Sequence, residues 1–495
     1  MKKNIKLILT FSAVLVFTAC SEDYLVAEPT ELVSSDQLSE IAEIKPEAVN
    51  ALLSGIYTTM YTAGSGGTTS HDDFGQKGYD IYTDMLASDM VLAGLNYGWY
   101  TNIVNYQTTT NFTDLNNYKP WRYYYRIVLS SNQIIEAFGG NDATPETDEA
   151  KHIIGQAKAL RAYAYFYLTQ LYQKEYIADE LILPIYTDTK VPNQPKSSAA
   201  DVYALMIKDL TEAETLLATF KRDNKSSLNQ SVAQGLLAYV YGAQRNYQKV
   251  MEVTNKIIAK NEFPLTTASQ LVGKVDADGK LLNSDSGFNN VATASWMWGV
   301  DLTVANDLDL VSWWGQVDRY TYSYAWAGDP KTMDKKLQDQ IKDTDIRKGQ
   351  FTSIGRPSFK FFDPARVIGG QRTVTTDYVY MRIEEMYLLN AEAKAMLGSD
   401  QDARTMLKTL LTIRGVDGAY LDALAGVALQ KEIYLQTRIE FWGEGKTYLA
   451  MKRNKATVTR GSNHLYFAGD SFQYNDDKLT FEIPQNEILN NPLIN

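Results

Sequence analysis

Cysteine is nearly absent from this chain: Cys20 is the only one in 495 residues, so no internal disulfide can form. Histidine is scarce too, with only His71, His152 and His464. A zinc site of the His/Cys type therefore lacks ligands, and a serine nucleophile has few candidate bases. Basic residues are in the minority, 48 Lys and Arg against 59 Asp and Glu, for a formal charge of −11. Such a surface does not suit nucleic acid, which needs a cationic face, and it does not adhere electrostatically to anionic lipid. After the first residues no apolar run approaches the roughly twenty needed to cross a bilayer. Carboxylates alone can hydrolyse glycosides, so that chemistry stays open. What the chain does hold in quantity is aromatic: 33 Tyr and 8 Trp, rings with a polar handle that suit wet surfaces as well as cores.

The lone cysteine has a telling position. Lys2, Lys3 and Lys6 precede an apolar stretch from Leu7 to Phe17, and small Ala19 stands directly before Cys20. This reads as a cleaved signal over residues 1–19. Phe17-Thr18-Ala19-Cys20 resembles the lipobox of bacterial lipoproteins, whose cysteine becomes an acylated N-terminus, so Cys20 is the expected lipidation site. Two or more acyl chains give the stable anchoring that one does not. Residues 20–35 then read as a lipidated tether.

From residue 36 on, apolar residues recur mostly at the helical period. The spacing predicts helices over roughly 46–61, 118–138, 148–174, 199–220, 228–242, 246–260, 331–341, 382–397, 401–413 and 427–451. Several form pairs joined by tight turns, as at Gly242-Ala243 and Gly398-Ser399-Asp400, with small and large residues alternating over the facing sides. They are similar to tetratricopeptide helix hairpins, at irregular spacing. The predicted fold is mainly α: tetratricopeptide-like hairpins as scaffold over about 36–261 and 381–495, and a large irregular, aromatic-rich insert with a few short strands over about 262–380. Residues 36–495 are expected to form a single domain.

Several blocks together resemble the SusD/RagB family of outer-membrane nutrient-binding lipoproteins. Trp121 leads a helix carrying Asn132, and Arg161 sits in the aromatic helix AKALRAYAYFYLTQLYQ. Arg382, Glu385, Glu392 and Gly398 mark the block YMRIEEMYLLNAEAKAMLG. Ile413-Arg414, then Arg438, Glu440, Phe441, Glu444 and Gly445 follow, and IPQNEILNNP closes the chain. Thr437, Lys446 and Asn454 depart from the family pattern, as does the GVDG after Arg414. The charged residues of these blocks are expected to be structural: a buried Arg414 or Arg438 needs a carboxylate, which Glu440 or Glu444 could supply. The resemblance implies a non-catalytic protein, fixed to the outer face of the outer membrane, that binds an oligosaccharide or polysaccharide and delivers it to a SusC-like TonB-dependent transporter. No cofactor or metal is expected. A RagB-like peptide-binding role is the alternative, and a carboxylate-based glycoside hydrolase a more distant one.

Sugar faces rest on aromatic rings, and five tryptophans fall within 296–326. Trp296 and Trp298, alternating along a strand, are assigned to the core. Trp313 and Trp314 abut Gly315, so at least one ring is expected at the surface. Tyr320, Tyr322 and Tyr324, continuing to Trp326, fit a strand with one aromatic face, buried or exposed. Tyr97, Trp99 and Tyr100 form a second patch. The candidate ligand-binding residues are thus Trp313, Trp314, Tyr320, Trp326, Trp99 and Tyr100. Asp276, Asp278 and Gly279 resemble the start of a calcium loop, but an Asp-Gly hairpin turn explains them more simply.

Overall fold

Stripes of apolar residues started by side-chain caps build the scaffold. The computed structural model describes residues 35–494; Cys20 and the signal lie outside them. The principal helices are α1 (Ser35–Ile44), α2 (Asn50–Thr59), α3 (Gln76–Leu86), α4 (Leu115–Ala137), α5 (Asp148–Tyr172), α6 (Ala199–Leu216), α7 (Gln230–Ala243), α8 (Tyr247–Ala259), α9 (Ile383–Met396), α10 (Asp400–Ile413), α11 (Gly426–Glu440) and α12 (Thr447–Arg453). Asp114, Thr147, Ser198, Asn229 and Asn246 each accept a backbone N–H in the first turn of α4 to α8, respectively.

From α4 onward each helix packs on the next: α4 on α5, α5 on α6, α6 on α7, α7 on α8, α8 on α9 and α9 on α10. This neighbour-to-neighbour stacking is the arrangement of helical repeats. Because α8 and α9 touch, the irregular stretch between them leaves the array and returns to the same place. Close approach is set by small residues. A Cβ on Gly235 of α7 would lie 2.5 Å from the Met381 sulfur.

Strands are short and paired in twos. β1 (Met90–Leu92) pairs with β5 (Lys331–Met333), β2 (Leu181–Pro184) with β3 (Lys196–Ser198), β4 (Trp296–Val300) with β6 (Tyr378–Arg382), and β7 (Thr457–Thr459) with β8 (Ser471–Gln473), all antiparallel. Trp296 and Trp298 are buried on β4, as their alternation implied. The 331–341 stretch is not one helix: Lys331–Met333 pairs with β1, and only Lys335–Gln338 forms a helical turn. The predicted 427–451 helix breaks between α11 and α12, where Gly443 and Gly445 take φ of 82° and 71°. Asp276 accepts the backbone N–H of Asp278 and Lys280, which closes a hairpin turn with Gly279 at φ 83°.

The charged residues of the late blocks meet in one buried network. Glu440 accepts from Arg414 at 2.6 Å, Arg382 at 2.7 Å and Arg347 at 2.9 Å. Glu444 accepts from Arg382 and Lys360, each at 2.8 Å, while Glu384 lies 3.1 Å from Arg382 and 3.3 Å from Arg414. Arg414 thus finds the expected partner. Arg438 does not: it reaches Asp89, just before β1, with Nε at 2.9 Å. Earlier in the chain, Arg161 clasps Asp209 at 2.7 and 2.8 Å and donates to Asn132, tying α4, α5 and α6 together.

The last residues lie across the opening of this array. The Phe481 N–H donates to the Leu171 carbonyl and the Gln485 N–H to that of Phe112. The Trp121 ring N–H donates to Glu487 at 3.1 Å, and Asn491 donates to the Gln194 carbonyl at 2.9 Å.

Candidate ligand-binding site

One aromatic surface is assembled from four stretches of chain, around His71, 94–100, 322–329 and 369–372. The 94–100 loop is pinned by Asp329, whose buried carboxylate accepts the backbone N–H of Asn96, Tyr97 and Gly98 at 2.5, 2.9 and 3.2 Å. The Asn96 side chain also donates to the Ala327 carbonyl. Beneath this clamp, Lys331 donates to Gln316 at 2.8 Å and stands 5.3 Å from the Tyr100 ring; burial pushes its ammonium down to about 7, against the pull of Asp329 and Asp72.

The clamped loop presents Trp99 and Tyr97. Trp99 stacks on His71 with ring centres 5.1 Å apart and planes 4° from parallel. Tyr324 meets Tyr97 edge-on at 4.9 Å, and its hydroxyl is 2.5 Å from His71 Nδ1. Two residues on, Trp326 is 46% exposed and rests against Gly369, where a Cβ would come within 2.9 Å of the indole. Tyr322 lies 5.5 Å from Trp326 and is covered by Arg372 at 4.3 Å. Tyr97 is 57% exposed and Trp99 half-buried, so flat ring area faces solvent beside the amides and guanidinium that hydroxyl groups need.

This corrects much of the sequence expectation. Trp313 and Trp314, each 1% exposed, belong to the core. Both sit in the turn Trp313–Val317, with Trp313 packed on Phe361 at 4.6 Å and facing the Lys77 ammonium at 5.3 Å. Gly315 opens no surface; it admits the Leu310 carbonyl, 2.1 Å from where a Cβ would stand. Tyr320 is buried under Arg366, which donates to its hydroxyl at 2.6 Å. Tyr100, 2% exposed, packs inward against Tyr82. The Tyr320–Trp326 alternation makes no strand, because Tyr324–Ala327 is a helical turn. Trp99 and Trp326 remain at the surface. His71 and Arg372 carried no signal in the sequence, having no diagnostic spacing, and Asp329, though three residues after Trp326, carried none for the distant loop it clamps.

The profile of a SusD-like family, described as starch-binding and associating with the outer membrane, matches residues 38–241, and that of the SusD family matches 313–495. The chain belongs to the SusD/RagB family. The first matched block of this SusD-like chain carries His71, Tyr97 and Trp99, and the second carries Tyr322, Tyr324, Trp326 and Arg372, so the aromatic surface lies where the two blocks meet. A SusD-like protein of Bacteroides ovatus is 24% identical over 247 residues, 49% of this chain and 40% of that one. A SusD-like protein of Formosa agariphila is 21% identical over 262 residues, 51% of this chain and 46% of its own. The matched stretch spans less than half the length of these curated relatives. Among solved structures, a SusD-like carbohydrate binding protein from Bacteroides vulgatus superposes with a TM-score of 0.74 at 25% identity, over 90% of this chain and 97% of that one. A SusD superfamily protein from Bacteroides fragilis shares the fold, with a TM-score of 0.72 at 22% identity over 91% and 99% of the two chains.

Proposed function

We propose that the protein is a non-catalytic surface lipoprotein, residues 36–495 acting as one domain, that captures oligosaccharide or polysaccharide on Trp99, Tyr97 and Trp326 and passes it to a SusC-like TonB-dependent transporter. The observation that carries this reading is the clamped loop: three backbone N–H groups spent on Asp329 hold Trp99 and Tyr97 in place before any ligand arrives, which lowers the ordering cost of binding. Each sugar–ring contact contributes on the order of 1 kcal/mol beyond buried area. A few such contacts give micromolar to millimolar affinity, suited to a protein that must release its ligand. The family description supports an outer-membrane setting, and the Bacteroides vulgatus neighbour is itself a carbohydrate binding protein. No helix among the described residues is long and apolar enough to cross a membrane; attachment is assigned to an acylated Cys20 on the strength of the lipobox-like Phe17-Thr18-Ala19-Cys20.

Trp99→Ala and Trp326→Ala should each weaken retention on an insoluble or gel-embedded glycan about tenfold, one ring contact at 1.4 kcal/mol, with melting temperature within a few degrees of the parent. Unchanged retention in both variants would overturn the site, and new reducing ends in the incubated glycan would make the protein an enzyme. For the anchor, Cys20→Ser should shift the protein from membrane to soluble fractions; firm membrane association of that variant would refute lipidation.

A further inference from the structure

A second groove, of about 500 Å³, opens on the scaffold between α4 and the 186–191 segment. Its size falls in the range of small-molecule sites. Tyr118, Trp121, Tyr125 and Tyr186 form the floor and walls, with Trp121 and Tyr125 rings 4.9 Å apart and Tyr186 edge-on to Tyr125 at 5.9 Å. Among these, Tyr118, Tyr125 and Tyr186 are only partly buried, so ring area is open to an occupant.

The polar groups around it divide sharply. Most acceptors are committed inside the protein, one Asp188 oxygen excepted. Glu487 accepts from the Trp121 ring and from Asn491, at 3.1 and 2.9 Å, and Asp188 accepts the backbone N–H groups of Lys190 and Val191. Asn132 takes the Arg161 guanidinium and donates to the Tyr186 carbonyl, while Thr189 donates to Glu136. The donors left over are cationic. Arg122 and Arg126, one helical turn apart on α4, are exposed at the rim. Arg122 makes a single long bond, 3.4 Å to the Gly67 carbonyl. Arg126 has no hydrogen-bond or ion-pair partner among the described residues. On a chain of formal charge −11, two unpaired guanidinium forks beside an aromatic wall are matched by a flat ring bearing an anionic oxygen group, which such forks bind in bidentate fashion.

We infer that this groove is a second binding site, distinct from the Trp99 surface, for an acidic saccharide whose carboxylate or sulfate ester sits on Arg122 and Arg126 while a sugar face rests on the tyrosines. The inference stands on the groove alone and does not depend on glycan binding at Trp99. Calorimetric titration of the full chain with digalacturonate, with its methyl ester and with a 6-O-sulfated disaccharide tests it, alongside an acidic tetrapeptide. Digalacturonate, the sulfated probe or both should bind, the ester at least about tenfold more weakly than the free acid. Arg122→Gln/Arg126→Gln should lose the acid preference by a similar factor, whereas Trp99→Ala should leave it intact. Added salt should weaken acid binding in the parent protein only. Equal affinity for acid and ester, retention of the preference in the double variant, its loss in Trp99→Ala, absence of binding by both acidic sugars, or tighter binding of the tetrapeptide would each overturn the proposal. Both arginines are exposed, and an unchanged melting temperature will separate lost binding from lost fold.

Discussion

Glu440→Gln should lower the unfolding free energy by about 3–5 kcal/mol at neutral pH, the usual cost of breaking a buried ion pair from one side. Glu440 faces Arg347, Arg382 and Arg414, all fully buried, and no water-exposed route relieves their charge once the carboxylate is gone. Glu444 and Glu384 still contact Arg382, and Glu384 contacts Arg414. Arg347 keeps only Asp345 as an ion-pair partner. The pH dependence has a definite sign. Burial alone would raise the Glu440 carboxyl, but the Arg414, Arg382 and Arg347 charges reverse this and hold it well below its ordinary value of 4.5. A group depressed in the folded state stabilises above its unfolded value and loses that stabilisation as pH falls through the folded one. The gap between parent and variant, read by urea unfolding, should therefore be constant from pH 8 to about 5 and narrow only below about 4.5. A gap that widened on acidification would contradict the network.

Trp313→Ala should be nearly as damaging, about 3–5 kcal/mol for a buried indole replaced by a methyl group. The cavity would open between Phe361, Trp314, the Lys77 ammonium and the Gly443 backbone. Neither Trp313 nor Trp314 has a protein acceptor for its ring N–H, so Trp313→Phe, which keeps a ring and removes the unpaired donor, should cost far less. Glycan affinity of the folded fraction should be unchanged in both variants. Lost affinity with retained stability would return Trp313 to the ligand surface.

These tryptophans show where the sequence could be read and where it could not. The helices α4 to α10 were legible from apolar residues recurring at the helical period, although α5, α7 and α9 are buried on almost every face. Helix α3 was missed because five of its eleven residues, Gln76, Lys77, Asp80, Thr83 and Asp84, are polar, yet all are buried and held by partners inside the protein. Gly443 and Gly445 ended a helix inside an otherwise periodic run, since positive φ is invisible to periodicity. In the site, Trp99 and Trp326 could be picked out as aromatic residues in irregular chain. Trp313 and Trp314 looked the same locally, and what buries them comes from Lys77, Phe361 and Gly443, far along the chain. Asp329 acts on a loop more than two hundred residues away, which no local pattern encodes. The motif residues Arg161, Arg382, Glu440 and Glu487 read clearly for the same reason that they say little about ligand: each fastens helices together.

The strand of chain from Phe481 to Asn491 that bridges α4, α5 and the 193–194 turn has a consequence for how the molecule comes into being. The clasp lies several hundred residues along the chain from the two long helices it fastens, so that end of the array stays ajar until these distant segments meet. Maturation of the N-terminal half is thereby tied to docking of residues 481–491, and a chain lacking those contacts would present an unlatched, aggregation-prone edge to whatever quality control it meets.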